Sequence, residues 1–281
     1  MLIAVLSDVH ANLPALEAVL ADAVAYHPEG YVVAGDLTGG PHPNETIARL
    51  RSLDVWLIRG NTDSNLLRLG RGEAQPEWYT CRQWALARWS LKQLGEHEYE
   101  YLSALPEERV IALRGASPLR VVHGSPGAPA DGLDPVNERA QLARVVAACV
   151  EPVLICGHTH EAWSVQAQGH LVLNPGAVCG PLDGTIGAEY ALLEWRDHQW
   201  HAHLRQVPYD IGSVRTAFEE SGLLTEGGAL ARAFLRSIET GHNIAEDFLA
   251  HAYGLTATAG LPGARWVPDA LWDEAAATFA W

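Results

Sequence analysis

Five times in its first 160 residues the chain runs through a short, largely apolar stretch rich in Val, Ile and Leu and then breaks off into a polar residue or glycine. Leu2 to Leu6 runs into Ser7-Asp8-Val9-His10, Tyr31 to Ala34 into Gly35-Asp36, and Val55 to Ile58 into Arg59-Gly60-Asn61. Leu119 to Val122 ends in His123-Gly124, and Pro152 to Cys156 in Gly157-His158. Runs this short and this uniformly apolar suit strands buried on both faces of a sheet. Between the first three lie stretches with helical spacing. Apolar residues fall at 13, 16, 19, 20 and 24 in the first and at 47, 50 and 53 in the second. The chain therefore opens as a βαβαβ unit of the α/β class.

Beyond Pro175 the pattern changes. Glu189 to Trp195 and Gln199 to Val207 read as a hairpin about Arg196-Asp197-His198, adding a second layer to the sheet system. Pro76 to Leu105 is helical and aromatic, and is read as an insert spanning about residues 74–106 that packs on the sheet, the alternative being a lid over the site. The chain turns helical again after residue 210, so the expected division is a domain over 1–210 and a helical extension over 211–281 packed on it. With 281 residues and 48% hydrophobic composition, a substantial core is expected.

The apolar runs fall well short of the ~20 residues of a membrane-spanning helix. Met1 to Leu6 lacks the length and the basic leader of a signal peptide. The four cysteines, Cys81, Cys149, Cys156 and Cys179, form no C-x-x-C pair and read as free thiols of a reducing, cytoplasmic compartment. A formal charge of -15 repels a phosphate backbone, so stable nucleic-acid binding is not expected, whereas small phosphorylated substrates are compatible with it.

The ligand-type residues Asp8, His10, Asp36, Asn61, His123, His158 and His160 all fall at or just past the end of a predicted strand, the edge where open α/β sheets bind ligands. Asp8 and His10 are two apart, as are His158 and His160, and in an extended stretch that spacing sends both side chains to one side. Each element alone is weak, a lone Gly-Asp or Gly-Asn being commonly a turn. Five in order at five strand ends make coincidence a poor explanation.

These motifs, Asp8-x-His10, Gly35-Asp36, Gly60-Asn61-x-Asp63, His123 and Gly157-His158-Thr159-His160, together resemble the signature of the calcineurin-like metallophosphoesterase superfamily over about residues 1–207. Asp8 to Asn12 and Asn174-Pro175-Gly176-Ala177-Val178 are similar to its small bacterial and archaeal phosphodiesterase branch. The resemblance implies a two-layer β-sandwich-like core flanked by helices. It implies two divalent ions (Mn, Fe, Zn, Ni or Co, with Mn favoured), one held by Asp8, His10 and His160 and the other by Asn61, His123 and His158, with Asp36 bridging. Two such ions roughly 3.5 to 4 Å apart would share a bridging hydroxide that attacks the phosphorus.

The expected catalytic set is Asp36, Asn61 and Asp63, the last anchoring its loop; the expected substrate contacts are Asn12, Thr62 and His42. Two departures from the pattern stand out. Many members carry His where this chain has Thr62, and a hydroxyl cannot act as a neutral-pH acid as imidazole does. This shifts expectation toward activated diesters or polyphosphates, and His42, on a loop just after Asp36, is a candidate replacement donor. Ala11 stands where Gly is usual, its methyl group narrowing the approach to the phosphate. His198, His201 and His203 read as solvent-facing edge residues.

The resulting expectation is a phosphodiesterase or phosphatase acting on nucleotide diesters or dinucleoside polyphosphates, compatible with assembly into a homo-oligomer. The alternative is a scaffold of the same fold that binds a protein partner, whose signature would be lost metal ligands; all seven are present. A polynucleotide nuclease would show a basic groove, and none is evident.

Overall fold

The apolar runs are buried on two sides because each strand is sandwiched. In the computed structural model, which describes residues 1–281, β1 (Leu2–Leu6), α1 (Leu13–Val24), β2 (Gly30–Val33), α2 (Pro43–Arg51) and β3 (Val55–Leu57) form a parallel βαβαβ unit. Ile3 and Val5 of β1 point into one core while Ala4 and Leu6 point into another. The chain continues through α3 (Asn61–Gly70), α4 (Pro76–Thr80), a 3-10 turn at Arg82–Trp84, α5 (Ala85–Gln93) and α6 (Glu96–Ala104). A second sheet follows from β4 (Arg109–Ile111), β5 (Leu119–Val121), α7 (Arg139–Ala148), β6 (Val153–Ile155), β7 (Ala162–Ala167) and β8 (His170–Pro175). The hairpin β9 (Ala188–Arg196) and β10 (Gln199–Val207) returns to the first sheet, and α8 (Ile211–Glu220), α9 (Leu223–Thr240), α10 (Ile244–Thr258) and α11 (Asp269–Thr278) complete the chain.

The result is two five-stranded sheets, ordered β10-β9-β1-β2-β3 and β4-β5-β6-β8-β7, with helices on their outer faces. The core between the sheets interleaves Ile3, Val5, Val32 and Leu193 from one with Leu119, Val121, Ile155 and Leu173 from the other. Each sheet contains a run of three parallel strands, β1-β2-β3, with β3 at the sheet edge, and β5-β6-β8. The antiparallel strands lie outside them. This is the two-layer α/β core expected from the sequence.

Several elements escaped the sequence pattern, α7 among them. The helix α3 begins at Asn61 itself, so Gly60-Asn61 is a helix start and not a turn. The strand β4 is only three residues long, and β7 is an edge strand with alternating exposure, so neither shows a buried apolar run. The strand β8 does, and it is joined to β7 by a tight turn through Gln168 and Gly169, both at positive φ. Like the Asp197-His198 turn of the β9-β10 hairpin, also at positive φ, it has the backbone twist that two-residue hairpins require.

The insert is not a detached flap. Leu102 and Leu105 belong to the same core as Leu6, Leu16 and Leu57, so α6 is part of the domain interior. Replacing Leu102, fully buried, with Ala is expected to cost about 2–5 kcal/mol. Urea unfolding checks this, and a loss below about 1 kcal/mol would mean that the insert hangs on the surface.

Candidate metal centre

The parallel strands of both sheets end at one place. Asp8 follows β1, Asp36 follows β2 and Asn61 follows β3, while His123 follows β5 and His158 and His160 follow β6. The expected extended geometry for the two-apart pairs is not what brings them together. Asp8, His10, Asp36, His158 and His160 all have positive φ, between 45° and 72°. Left-handed backbone costs about 1–2 kcal/mol at a residue with a Cβ. Five such residues at one sheet edge mark strain concentrated where side chains must be turned inward.

Hydrogen bonds hold the strained segments. Asp8 N–H donates to Gly35 O at 3.1 Å, His10 N–H to Asp36 O at 2.9 Å and Ala11 N–H to Leu37 O at 2.8 Å, which carries the β1-β2 pairing past the strands. His158 N–H donates to Asp8 Oδ2 at 3.0 Å and His123 Nδ1 meets Ala34 O at 2.7 Å, joining the second sheet to the first. Glycines keep the approach close. A methyl group at Gly60 would lie 2.1 Å from Asp36 Oδ1, and one at Gly157 would lie 1.9 Å from Ser7 Oγ.

Around the centre, Asp36 Oδ2 lies 3.5 Å from His10 Nε2 and 3.4 Å from His123 Nε2. Asp8 Oδ1 lies 3.4 Å from His160 Nε2, 3.8 Å from His123 Nε2 and 4.0 Å from His10 Nε2. Ligand-type atoms of Asp8, His10 and Asp36 fall within 4.8 Å of one another. The His158 ring stands edge-on to that of His123 at 5.3 Å. His10, His123 and His160 each place Nδ1 against a backbone carbonyl, of Thr38, Ala34 and Gly180. A proton on Nδ1 leaves each Nε2 lone pair facing the centre, the tautomer a metal ligand needs.

The residues fit a divalent cation on a direct count. Asp8 Oδ1, Asn61 Oδ1 and His123 Nε2 are buried and have no hydrogen-bond partner. An unpaired buried polar atom costs about 1–3 kcal/mol, and a cation offers one partner to several of them. Carboxylate, amide oxygen and imidazole together suit a first-row divalent ion. The electrostatics agree. Burial works to raise the Asp36 pKa, but the imidazoles of His123 and His10 and the Thr62 hydroxyl hold it well below the usual carboxylate range. Asp8, against the same burial penalty, is brought down to about 2 by His160 and His123. Burial lowers the His10 pKa, whereas His123, also buried, is pushed up to about 9 by Asp36 and Asp8.

The three expected substrate contacts have these surroundings in the fold. Asn12 is fully buried as the cap of α1, accepting from Ala15 N–H and donating to Cys179 O and Tyr209 Oη, with nothing left to offer a phosphate. Thr62 gives both its backbone N–H and its hydroxyl to Asp36, at 2.9 and 2.7 Å, and so orients that carboxylate. His42 precedes α2, and neither ring nitrogen bonds to the side chains of the centre. Asp63, placed in the catalytic set by the sequence, is a positioning residue. Its buried carboxylate accepts from the N–H groups of Leu37, Thr38 and Gly60 and from the Thr38 hydroxyl. Ala11 is fully buried at φ 50°, so its methyl group does not narrow any approach. His203 is exposed beside Glu194, while one ring nitrogen of His201 is buried.

The structure also adds residues that no sequence motif indicated. Cys179 Sγ lies 3.7 Å from His160 Nδ1, and the Phe234 ring of α9 stands edge-on to His10 at 5.3 Å. Hydrophobic spacing could place Phe234 on a buried helix face, but nothing local could pair it with residue 10.

Residues 1–198 match the family model described as the calcineurin-like phosphoesterase superfamily domain. The chain belongs to that superfamily. A crystal structure of a metallophosphoesterase from Sphaerobacter thermophilus is similar at 28% identity and a TM-score of 0.68, covering 86% of this chain and 99% of that one. A crystal structure of a hypothetical protein from Pyrococcus horikoshii shares the fold at 21% identity and a TM-score of 0.71, over 85% and 98% of the two chains. An uncharacterised protein of Methanocaldococcus jannaschii is 26% identical over 235 residues, 75% of this chain and 88% of its own. The likeness to the Sphaerobacter phosphoesterase covers more of the chain than the family model, so it reaches into the helices after β10. No helix is long and apolar enough to cross a membrane.

Two outcomes test this description. Asp63→Ala would leave three N–H groups and a hydroxyl unpaired, and a loss of about 3 kcal/mol or more is expected in denaturant unfolding; a change under 1 kcal/mol would deny the carboxylate its positioning role. Glu189, 6% exposed with Oε2 unpartnered, is pushed up to about 7, chiefly by burial and then by Asp183. Its raised pKa means that the folded state binds the extra proton, so stability from this group is full below its ordinary 4.5 and is lost as pH rises through 7. Glu189→Gln should therefore raise the unfolding temperature at pH 8 and do so much less at pH 5; an equal effect at both would contradict it.

Proposed function

We propose that this chain is a hydrolase of small phosphorylated molecules dependent on two divalent ions, with nucleotide diesters and dinucleoside polyphosphates as the favoured substrates. The observation that carries the reading is the set of buried, unpartnered acceptors, Asp8 Oδ1, Asn61 Oδ1 and His123 Nε2, gathered at the end of the parallel strands of both sheets. In this reading Asp8, His10 and His160 hold one ion, Asn61, His123 and His158 hold the other, and Asp36 bridges them. Manganese is favoured, with Fe, Zn, Ni and Co as alternatives. Two such ions supply Lewis acidity toward phosphoryl oxygens and lower the pKa of water.

The chain's own residues orient and dry this site. Thr62 fixes Asp36 by two hydrogen bonds, Asp63 locks the Asp36-Leu37-Thr38 loop against Gly60, and Asn174 donates to Gly157 O and Thr159 Oγ1, steadying the turn that presents His158 and His160. The ring of Phe234 excludes water from one side of His10. With its hydroxyl on Asp36, Thr62 offers no imidazole acid at the position where many members carry one. That favours leaving groups that depart without a proton, as a polyphosphate or an activated diester does.

Metal analysis of the purified protein, paired with a panel of monoesters, diesters and dinucleoside polyphosphates, tests the reading. About two equivalents of divalent metal per chain are expected, with turnover of diesters or polyphosphates that falls about 10³-fold or more in Asp36→Ala. A wild type that binds no metal, or a variant that matches it on every compound, would sink the proposal.

A further inference from the structure

Beside the metal centre lies a cavity of about 250 Å³ whose walls come from parts of the chain distant in sequence. Leu66 of α3, Trp84, Ala87 and Ser90 of the insert, and Leu230 and Leu249 of α9 and α10 line it. Gly39 and Thr62 stand where it adjoins the centre: a methyl group at Gly39 would lie 3.2 Å from His10 Nδ1 and 3.3 Å from Thr62 Cγ2. With φ at +107°, residue 39 is a glycine that puts no side chain between cavity and centre. Thr62 borders both, its hydroxyl on Asp36.

Ser90 is 2% exposed and its hydroxyl has no partner. A helical serine ordinarily returns its hydroxyl to the carbonyl four residues back, and leaving it unpaired in the interior is unfavourable. A bound molecule with a hydrogen-bonding atom would account for it. The Trp84 ring is held rigid by stacking on Trp78, centroids 3.8 Å apart and planes 16° apart, so the cavity has one fixed aromatic wall. Drug-sized ligands fill about 300–1,000 Å³, which leaves this cavity suited to a single ring system. An acyl chain would leave Ser90 unpaired. A second phosphate would enter apolar walls in a chain of net charge -15.

We propose that this cavity receives the planar heteroaromatic group of the substrate, a nucleobase, while its phosphate lies at the metal centre. The inference rests on the phosphoesterase reading for the phosphate's position and adds the part of the substrate that the insert and the tail select. Apolar and aromatic walls give such a ring stacking area with little loss of side-chain freedom. Ser90 then bonds an edge atom of the ring.

The test is equilibrium binding by calorimetry to the full-length, manganese-loaded protein, with AMP and ribose 5-phosphate as probes. AMP is expected to bind at least tenfold more tightly. That ratio should fall at least threefold in Ser90→Ala, which removes only an unpaired hydroxyl, and approach one in Leu230→Trp, which fills the cavity. Circular dichroism shows whether each variant is folded, and if Leu230→Trp is not, Ser90→Ala decides alone. Equal affinities in the wild type, or a ratio that survives in the folded variants, would overturn the proposal. A protein that prefers AMP but hydrolyses no phosphoester upholds the cavity and refutes the hydrolase reading; one that hydrolyses phosphoesters without a base preference does the reverse.

Discussion

Two carboxylates almost out of reach of water, Asp8 and Asp36, face one small volume, and much of the structure serves to keep them there. Left alone they would repel and would be protonated by burial. Three imidazoles gathered from both sheets, a threonine hydroxyl and backbone N–H groups hold them ionised instead. That balance leaves three buried atoms, Asp8 Oδ1, Asn61 Oδ1 and His123 Nε2, without partners, a deficit that a cation would correct. The same charges raise the His123 pKa against its burial.

Bringing the groups together requires backbone that most sequences avoid. Five candidate ligands sit in left-handed conformation, and the hydrogen bonds between residues 8–11 and 35–37 are what make that conformation tolerable. Glycines at 60 and 157 let segments from neighbouring strands approach to distances that any side chain would forbid. Strain, close approach and buried charge thus share one edge of the molecule. The inter-sheet core, made of ordinary aliphatic side chains, lies behind it and carries the stability that offsets them.

The periphery has a different task. The insert and the tail pack against each other through Trp89, Leu223 and Leu235 and close one flank of the centre. Phe234 against His10 and the cavity behind Gly39 both depend on that packing.

The sequence by itself determined the α/β class, the five strand ends and the seven ligand-type residues. Each is a local signal: an apolar run buried on both faces must end, and Asp, Asn or His at such an end has little packing value. It also showed that Thr62 replaces a histidine, but not that the hydroxyl is spent on Asp36. What only the tertiary structure decided was contact between segments far apart in the chain. The strand β7 lacked an apolar run because it lies at an edge, and α3 hid behind a Gly-Asn pair that commonly forms a turn. Asn12 could be seen as a buried cap only once Cys179 and Tyr209 had been brought to it. Cys179, Phe234 and Ser90 carry no motif, for their surroundings are built by helices more than a hundred residues away or by a loop on the other sheet. Spacing along a chain encodes faces and ends of elements; which ends meet, and what closes over them, is fixed by packing.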